Sequence, residues 1–257
     1  MSIFNPFWPF RKAKRIVEIL KTKVQDRKAL QEIKADYLAF KKQSGTARFD
    51  HSQDKWLPYV GDKTTLTPFE PHYTYHPAWA ARIIAKIKPH KHVDISSSLR
   101  FCTMISAFVP TDFYDFRPAN LKLSNLNCRQ ANLLNLPFAN NSVPSLSCMH
   151  TIEHIGLGRY GDEIDYNGDL KAMNELVRVL AKDGHLLIVV PIGKPRLEFN
   201  AHRIYSYDQI TSYFKDLHLK EFSLIPDDFE PFGLIENASK EFADQQYWGC
   251  GCFWFSK

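Results

Sequence analysis

A doubly wound α/β fold, with a mostly parallel sheet and helices on both faces, is predicted by three features of this 257-residue sequence. Helix-period and strand-period segments alternate from His76 onward, and such alternation builds parallel sheets because each crossover helix returns the chain to the same end of the sheet. HLLIVVP (185–191) is the most hydrophobic run, as a strand covered on both faces requires. Leu170, Met173, Val177 and Leu180 mark one helical face before it, expected to stop at Gly184. With 44% hydrophobic and 24% charged residues the composition is that of a globular domain. At roughly 150 residues per domain, the length holds one large α/β domain with an extension.

The first segment, MSIFNPFWPF, is aromatic but broken by Pro6 and Pro9, and its basic residues follow the apolar stretch. It does not read as a secretory signal. From Arg11 to Lys42 eleven Lys/Arg stand against four Asp/Glu, a surplus of seven; with +5 for the whole chain, the rest sums to -2. Residues 11–42 hold no Gly or Pro, and Ile16, Ile19, Leu20, Val24, Leu30, Ile33, Tyr37 and Leu38 recur near helical spacing. The spacing predicts a basic amphipathic arm of one or two helices over 1–42. The arm is expected to pack on its own domain, to pair two copies of the chain as a homodimer, or to make peripheral membrane contact through Phe4, Phe7, Trp8 and Phe10. Residues 43–75, rich in Thr, Pro, His and Tyr without periodicity, read as an irregular linker or lid. The main domain is placed at 76–257.

Within that domain PAWAARIIAKIKP is helical, HVDIS a short buried strand, LRFCTMISAF a second helix and TDFYDF the next strand. After RQANL and a turn-rich stretch, VPSLSCMH is a strand, followed by the helix at Leu170 and by HLLIVVP. LKEFSLIP and CGCFWFSK close the chain as two further strands, expected to form an edge hairpin.

Ligands in doubly wound sheets sit beyond the carboxyl ends of the strands. The first strand ends in Asp94-Ile95-Ser96-Ser97-Ser98, where a nucleotide site wants small residues so that the backbone can approach the ligand, with an acid about 20 positions on for ribose hydroxyls. Asp115 ends the next strand, 19 residues after Ser96. The serines also read as an ordinary turn with an N-cap at Ser97 or Ser98. GxGxxG and GxxxxGK[ST] are absent, which excludes the usual NAD(P) and P-loop signatures.

Taken in order, VDIS, FYDFRP, NLLNLPFANNSVPSLSCMHTIEHIG and ELVRVLAKDGHLLIVVP resemble the class I methyltransferases. SLSCMHTIEHIGLGRYGD, NGDLKAM and FNAHRIYSYDQI resemble, more closely, the domain-of-unknown-function family 268, from about Tyr75 to Lys257. The resemblance implies a Rossmann-like, seven-stranded, mostly parallel sheet of the methyltransferase type behind the N-terminal helical extension, with S-adenosylmethionine as cofactor. By position it implies Asp94 as the first-motif acid, Ser96 and Ser98 in place of its glycines, and Asp115 as the ribose acid. Asn132 stands where an Asp usually accepts from the adenine amino group, and Leu133 follows it; Asn keeps an acceptor but loses the charge. Glu153 and His154 fall where many methyltransferases carry a Glu-His pair near the substrate mouth.

His150-Thr-Ile-Glu153-His154 also matches HxxEH, a zinc-protease pattern that needs both histidines on one helical face. Here the residues leave a strand and meet Gly156 and Gly158, so no metal is expected. Arg159, Tyr160 and Asp162 in GRYGD form a glycine-flanked polar loop, in which Arg159 is suited to a carboxylate or phosphate. Asn200, His202, Arg203 and Tyr205 are expected at the same sheet edge as a second wall of one pocket; an Arg159–carboxylate clamp that only stabilises the loop is the plainer alternative.

No run of about 18 apolar residues occurs and mean hydropathy is -0.32, so no transmembrane helix is expected. Five cysteines without a CxxC pair fit a reducing cytoplasm rather than a disulfide framework or zinc ribbon, with membrane association left to the arm. The body's charge gives no support for a nucleic-acid partner. The expected function is methyl transfer to a small-molecule acceptor, small, polar and sugar-like. His154 or His202 would be the base, Glu153 or Asp162 its orienter, and Arg159 the substrate anchor. The alternatives are a methyltransferase-fold binding protein without chemistry and an interaction protein recruited through the arm.

Overall fold

The computed structural model describes residues 8–43 and 48–257, with side chains from residue 25 onward. The chain divides into two compact units, up to Pro68 and from Phe69. In the first unit, α1 (Trp8–Lys42) is one continuous helix of 35 residues. Pro9 falls in its first turn, where a missing N–H breaks no helical bond. The calls on Phe4 and Phe7 lie outside the described residues. Leu38 and Phe40 are exposed, whereas Tyr37 is half-buried and its hydroxyl donates to Asp54 Oδ2 at 2.6 Å. The segment after the helix is irregular apart from a 3-10 turn, His51–Gln53, capped by Asp50. Trp56 packs edge-on to Tyr37, with ring centroids 6.0 Å apart, which turns the segment back along α1.

In the second unit α2 spans Pro71–Ile87, so residues 71–75 are helical rather than linker. Glu70 caps the helix by accepting from the Tyr73 N–H at 2.5 Å, and Pro71 occupies the first turn. The helix runs through Pro77, the residue that makes the sequence pattern look as if it starts later. Then come β1 (His92–Ile95), α3 (Leu99–Ile105), β2 (Thr111–Asp115), β3 (Leu126–Gln130) and β4 (Val143–Met149). A 3-10 turn, Ile152–His154, leads to α4 (Gly168–Val179), β5 (Leu180–Ile192), and a separate hairpin of β6 (Arg196–Glu198) and β7 (His202–Ile204). The unit ends with α5 (Tyr207–Tyr213), β8 (His218–Ile225), β9 (Ile235–Glu236), α6 (Lys240–Gln245) and β10 (Gly249–Ser256). Helix α4 stops at Val179, short of Gly184, because Leu180 is already extended and paired with Val143.

The sheet has eight strands, not seven, in the order β3-β2-β1-β4-β5-β10-β8-β9. β1 to β5 pair in parallel, whereas β10 runs antiparallel to both β5 and β8. The last strand is therefore inserted between two others instead of closing an edge hairpin, and the two-residue β9 adds the eighth strand. Alternation along the central strands sends side chains to opposite faces. Leu186, Ile188 and Val190 of β5 and Phe253 and Phe255 of β10 meet Met173, Leu176, Ile210 and Phe214 on one side. Leu187, Val189 and Trp254 meet Trp79, Ile84, Phe101 and Ile105 on the other. Helices thus cover both faces, and the carboxyl ends of β1, β2 and β4 open together. No helix among the described residues is long and apolar enough to cross a membrane.

Candidate functional site

A cavity of about 560 Å³ lies at those strand ends. Its floor is the turn after β1. Asp94 is wholly buried beneath it, accepting from the Ser97 N–H at 3.0 Å and from the Ser147 hydroxyl. Burial pushes the Asp94 carboxyl up to about 6, against hydrogen bonds from Ser147 and Ser97 that favour the carboxylate. His92, also fully buried, continues the chain, with Nε2 2.8 Å from Ser147 Oγ and Nδ1 2.8 Å from Ser145 Oγ. Ser96 adopts φ 56°, the left-handed region in which glycine is favoured, and its N–H donates to Tyr114 O at 2.8 Å. Ser97 Oγ accepts from the Met149 N–H at 3.0 Å, while Ser98 caps α3 by accepting from the Phe101 N–H at 3.2 Å. The serine turn is therefore both a loop latched to β4 and a helix cap.

Ser96, Ser97, Ser98, Asp115, Asn132 and Leu133 all line the cavity. Asp115 Oδ1 accepts from the Arg117 N–H at 2.7 Å, and Asn132 Oδ1 accepts from the Leu134 N–H at 2.9 Å. That bond fixes the Asn132 carbonyl to its own turn through one of its two lone pairs and leaves the other, with the amide NH₂, to face a ligand. Asp94 does not line the cavity; it acts through the serine turn.

The opposite wall is the GLGRYGD loop. His154, Tyr160 and Asp162 face the cavity. Asp162 gathers the loop, accepting from the N–H groups of Gly156 at 2.7 Å and Tyr160 at 3.2 Å. His154 Nδ1 lies 2.6 Å from Ala201 O, so Nδ1 carries the proton and Nε2 is the basic nitrogen. Burial holds its pKa below the usual imidazole value, opposed by the Glu153 charge. Glu153 is 1% exposed; its Oε1 sits 3.0 Å from His150 Nδ1 and 3.8 Å from His154 Nε2, and its Oε2 has no hydrogen-bond partner.

The FNAHRIY segment does reach this loop, but mainly through backbone. Arg159 donates to Ala201 O at 3.0 Å, and Arg203 to Ile155 O at 2.7 Å and Tyr166 O at 3.2 Å. Tyr205 is bound to Asp169 at 2.9 Å. His202 stacks on Trp248, ring centroids 5.8 Å apart, with Glu198 at 3.3 Å from Nε2. Glu153, Arg159, His202 and Arg203 stand behind the wall rather than on it. Tyr160 is flanked by the guanidiniums of Arg117 and Arg159, 4.6 and 5.2 Å from its ring centre.

The sequence does not single out Tyr73 or Arg117, and it marks His150 only as part of the HxxEH match, not as a cavity residue. Tyr73 and His150 line the cavity near Met149, and their rings stack with centroids 5.3 Å apart. Arg117 lines the cavity as well. His150 has φ 53°, a strained conformation for a non-glycine residue directly after β4. His72-x-x-x-His76 was the available signal: two histidines four apart share a helix face once α2 is known to begin at Pro71.

Residues 138–223 match the family described as "Caenorhabditis protein of unknown function, DUF268"; the match is narrower than the resemblance that begins near Tyr75. No curated protein matches the chain in sequence. Among solved structures, 1,6-didemethyltoxoflavin-N1-methyltransferase of Burkholderia thailandensis, with bound 1,6-didemethyltoxoflavin and S-adenosylhomocysteine, is similar with a TM-score of 0.52 and 12% identity, covering 72% of this chain and 80% of its own. The N-methyltransferase NodS of Bradyrhizobium japonicum WM9, in complex with S-adenosylhomocysteine, is similar with a TM-score of 0.50 and 11% identity, covering 73% of this chain and 88% of its own. At such identities the likeness is one of fold: the chain carries the Rossmann-like fold of the class I methyltransferases.

Proposed function

We propose that the cavity binds S-adenosylmethionine and that the protein transfers its methyl group to a small polar, sugar-like acceptor entering past the GLGRYGD loop. The observation that carries this reading is the convergence of the Ser96–Ser98 turn, Asp115, Asn132 and Leu133 on one cavity. Asp115 is held at one oxygen by the Arg117 N–H, leaving Oδ2 for ribose hydroxyls. The serine turn brings backbone against the ligand, and Asn132 offers its amide to the adenine edge.

When bound, the cofactor would supply a sulfonium methyl open to in-line attack by an acceptor oxygen and would leave as a neutral thioether, so the chain's own residues have to align the acceptor and take up its proton. Alignment supplies most of the acceleration. His154 Nε2 is the base, and its proton is taken up 3.8 Å from the Glu153 carboxylate, which stabilises the imidazolium. Ala201 O and the Nδ1–H fix the tautomer. Asp162 shapes the loop, and Tyr160 with Arg159 presents a cation-flanked ring to the acceptor. His202 and Arg203 hold the second segment against this wall.

Calorimetry with S-adenosylhomocysteine tests the cofactor half. Affinity near micromolar is expected, about -8 kcal/mol, and Asp115→Ala should weaken it by roughly tenfold or more, the worth of about 1.4 kcal/mol. No heat and no thermal shift at millimolar ligand would overturn the assignment.

A further inference from the structure

Beside the cavity, on the face of the sheet covered by α2, three side chains from distant parts of the chain converge: His72 of α2, His150 just after β4 and Cys250 at the start of β10. One ligand atom from each lies within 4.8 Å of the others. We propose that these residues form a binding site for a divalent, borderline-soft transition ion, with zinc as the natural occupant.

Four observations support the assignment. First, donor type: two imidazoles and a thiol are the zinc set, whereas calcium and magnesium take oxygen. Second, spacing: bond lengths of about 2.1 Å to nitrogen and about 2.3 Å to sulfur at a tetrahedral angle put the two ligand atoms about 3.6 Å apart. Cys250 Sγ and His150 Nε2 are 3.5 Å apart. Third, orientation: His150 Nδ1 lies 3.0 Å from Glu153 Oε1, so the carboxylate accepts a hydrogen bond from Nδ1–H and leaves the Nε2 lone pair on the Cys250 side. A carboxylate behind a histidine ligand is the usual support of a zinc-bound imidazole.

Fourth, an unpartnered polar group is buried against the site. His76 is 1% exposed, neither of its ring nitrogens has a hydrogen-bond partner, and its ring meets that of His150 edge to face at 5.1 Å. It lies one turn from His72 on the same helix. Leaving such a group unsatisfied costs about 1–3 kcal/mol, whereas beside a bound ion it holds the ion's water. Charge closes as well. The ion's two positive charges meet the thiolate formed when Cys250 releases its proton to solvent and the buried Glu153 carboxylate, whose Oε2 is otherwise unpaired. The ion would tie α2 to β4 and β10 and hold His150 and Tyr73 on the cavity wall.

The test of this site uses no cofactor. The full chain, freed of metal with chelator, is titrated with cobalt and then with zinc. Expected are one ion per chain, a sulfur-to-cobalt charge-transfer band in the near ultraviolet, and its displacement by zinc. Cys250→Ser should abolish the band. Glu153→Gln should weaken zinc binding about 10- to 100-fold, the usual effect of losing a carboxylate behind a histidine ligand, and His72→Ala by more. Cys128→Ser, on the far strand β3, should leave the stoichiometry at one. If the unaltered chain shows no thiolate band, or Cys250→Ser keeps it, the assignment falls. The first of these outcomes needs no variant to fold.

Discussion

Buried His92 stands inside a hydrogen-bonded series, Ser145–His92–Ser147–Asp94, that runs under the serine turn. Burial alone pushes its pKa down to about 3. A histidine depressed in the folded state and ordinary in the unfolded state makes the unfolded chain bind more protons between about pH 6.5 and pH 3. Stability is then complete above pH 6.5 and falls as the solution is acidified, by about 1.4 kcal/mol per pH unit for this one residue. Asp94 acts in the opposite sense: with its pKa raised to about 6, the folded state holds one extra proton between about pH 4 and 6 and cancels the histidine's slope there. His92→Gln should therefore flatten the acid limb of stability measured by urea unfolding at a series of pH values. An unchanged slope would mean that His92 is not buried neutral.

Glycine positions separate shape from mere flexibility at the scale of the element. Gly156 and Gly161 both have positive φ, 80° and 84°, in the loop between the 3-10 turn and α4. A side chain at Gly156 would collide with the Asp165 carbonyl oxygen, to which that strand of the loop is pinned by the Asp165 N–H donating to Gly156 O at 3.0 Å. One at Gly161 meets nothing within 4 Å. Gly161→Ala should cost about 1 kcal/mol, the left-handed penalty alone. Gly156→Ala should cost at least about 2 kcal/mol, because overpacking is added. Equal losses in urea midpoint would show that the loop shifts to accept either.

The same loop marks where the sequence was readable. β1, β4 and β5 were legible because strands covered on both faces need unbroken apolar runs, and the acid and serines after β1 sit where any doubly wound sheet opens. β9 was not, since two residues paired through Leu224 and Ser223 leave no periodicity. The place of β10 between β5 and β8 was equally hidden: apolar runs name a strand, not its neighbours. Asn132 was legible as a position but not in its orientation, because only the bond to the Leu134 N–H shows which end of its amide is turned to its own backbone. The cluster of His72, His150 and Cys250 was invisible for a related reason, as its members meet only through the pairing of β10 with β5 and the packing of α2.

At the scale of the whole molecule, the division after Pro68 decides what the N-terminal unit can be. Every residue of the two hydrophobic cores lies beyond it, from Tyr75 onward, and the cavity wall begins at Tyr73. The second unit therefore brings its own core, its own caps, including Glu70 on α2, and its own ligand groups. A chain of residues 69–257 should fold cooperatively and bind S-adenosylhomocysteine within about threefold of the full chain, a difference under about 0.7 kcal/mol. What should change is association. The eleven Lys/Arg of residues 11–42 are each worth on the order of 1 kcal/mol near an anionic lipid surface, so their removal should reduce co-sedimentation with vesicles containing anionic lipid. If the arm instead pairs two copies of the chain, removal should lower the mass measured by light scattering. A shortened chain that fails to fold, or that loses the ligand, would place the first unit within the working domain and overturn the division of labour.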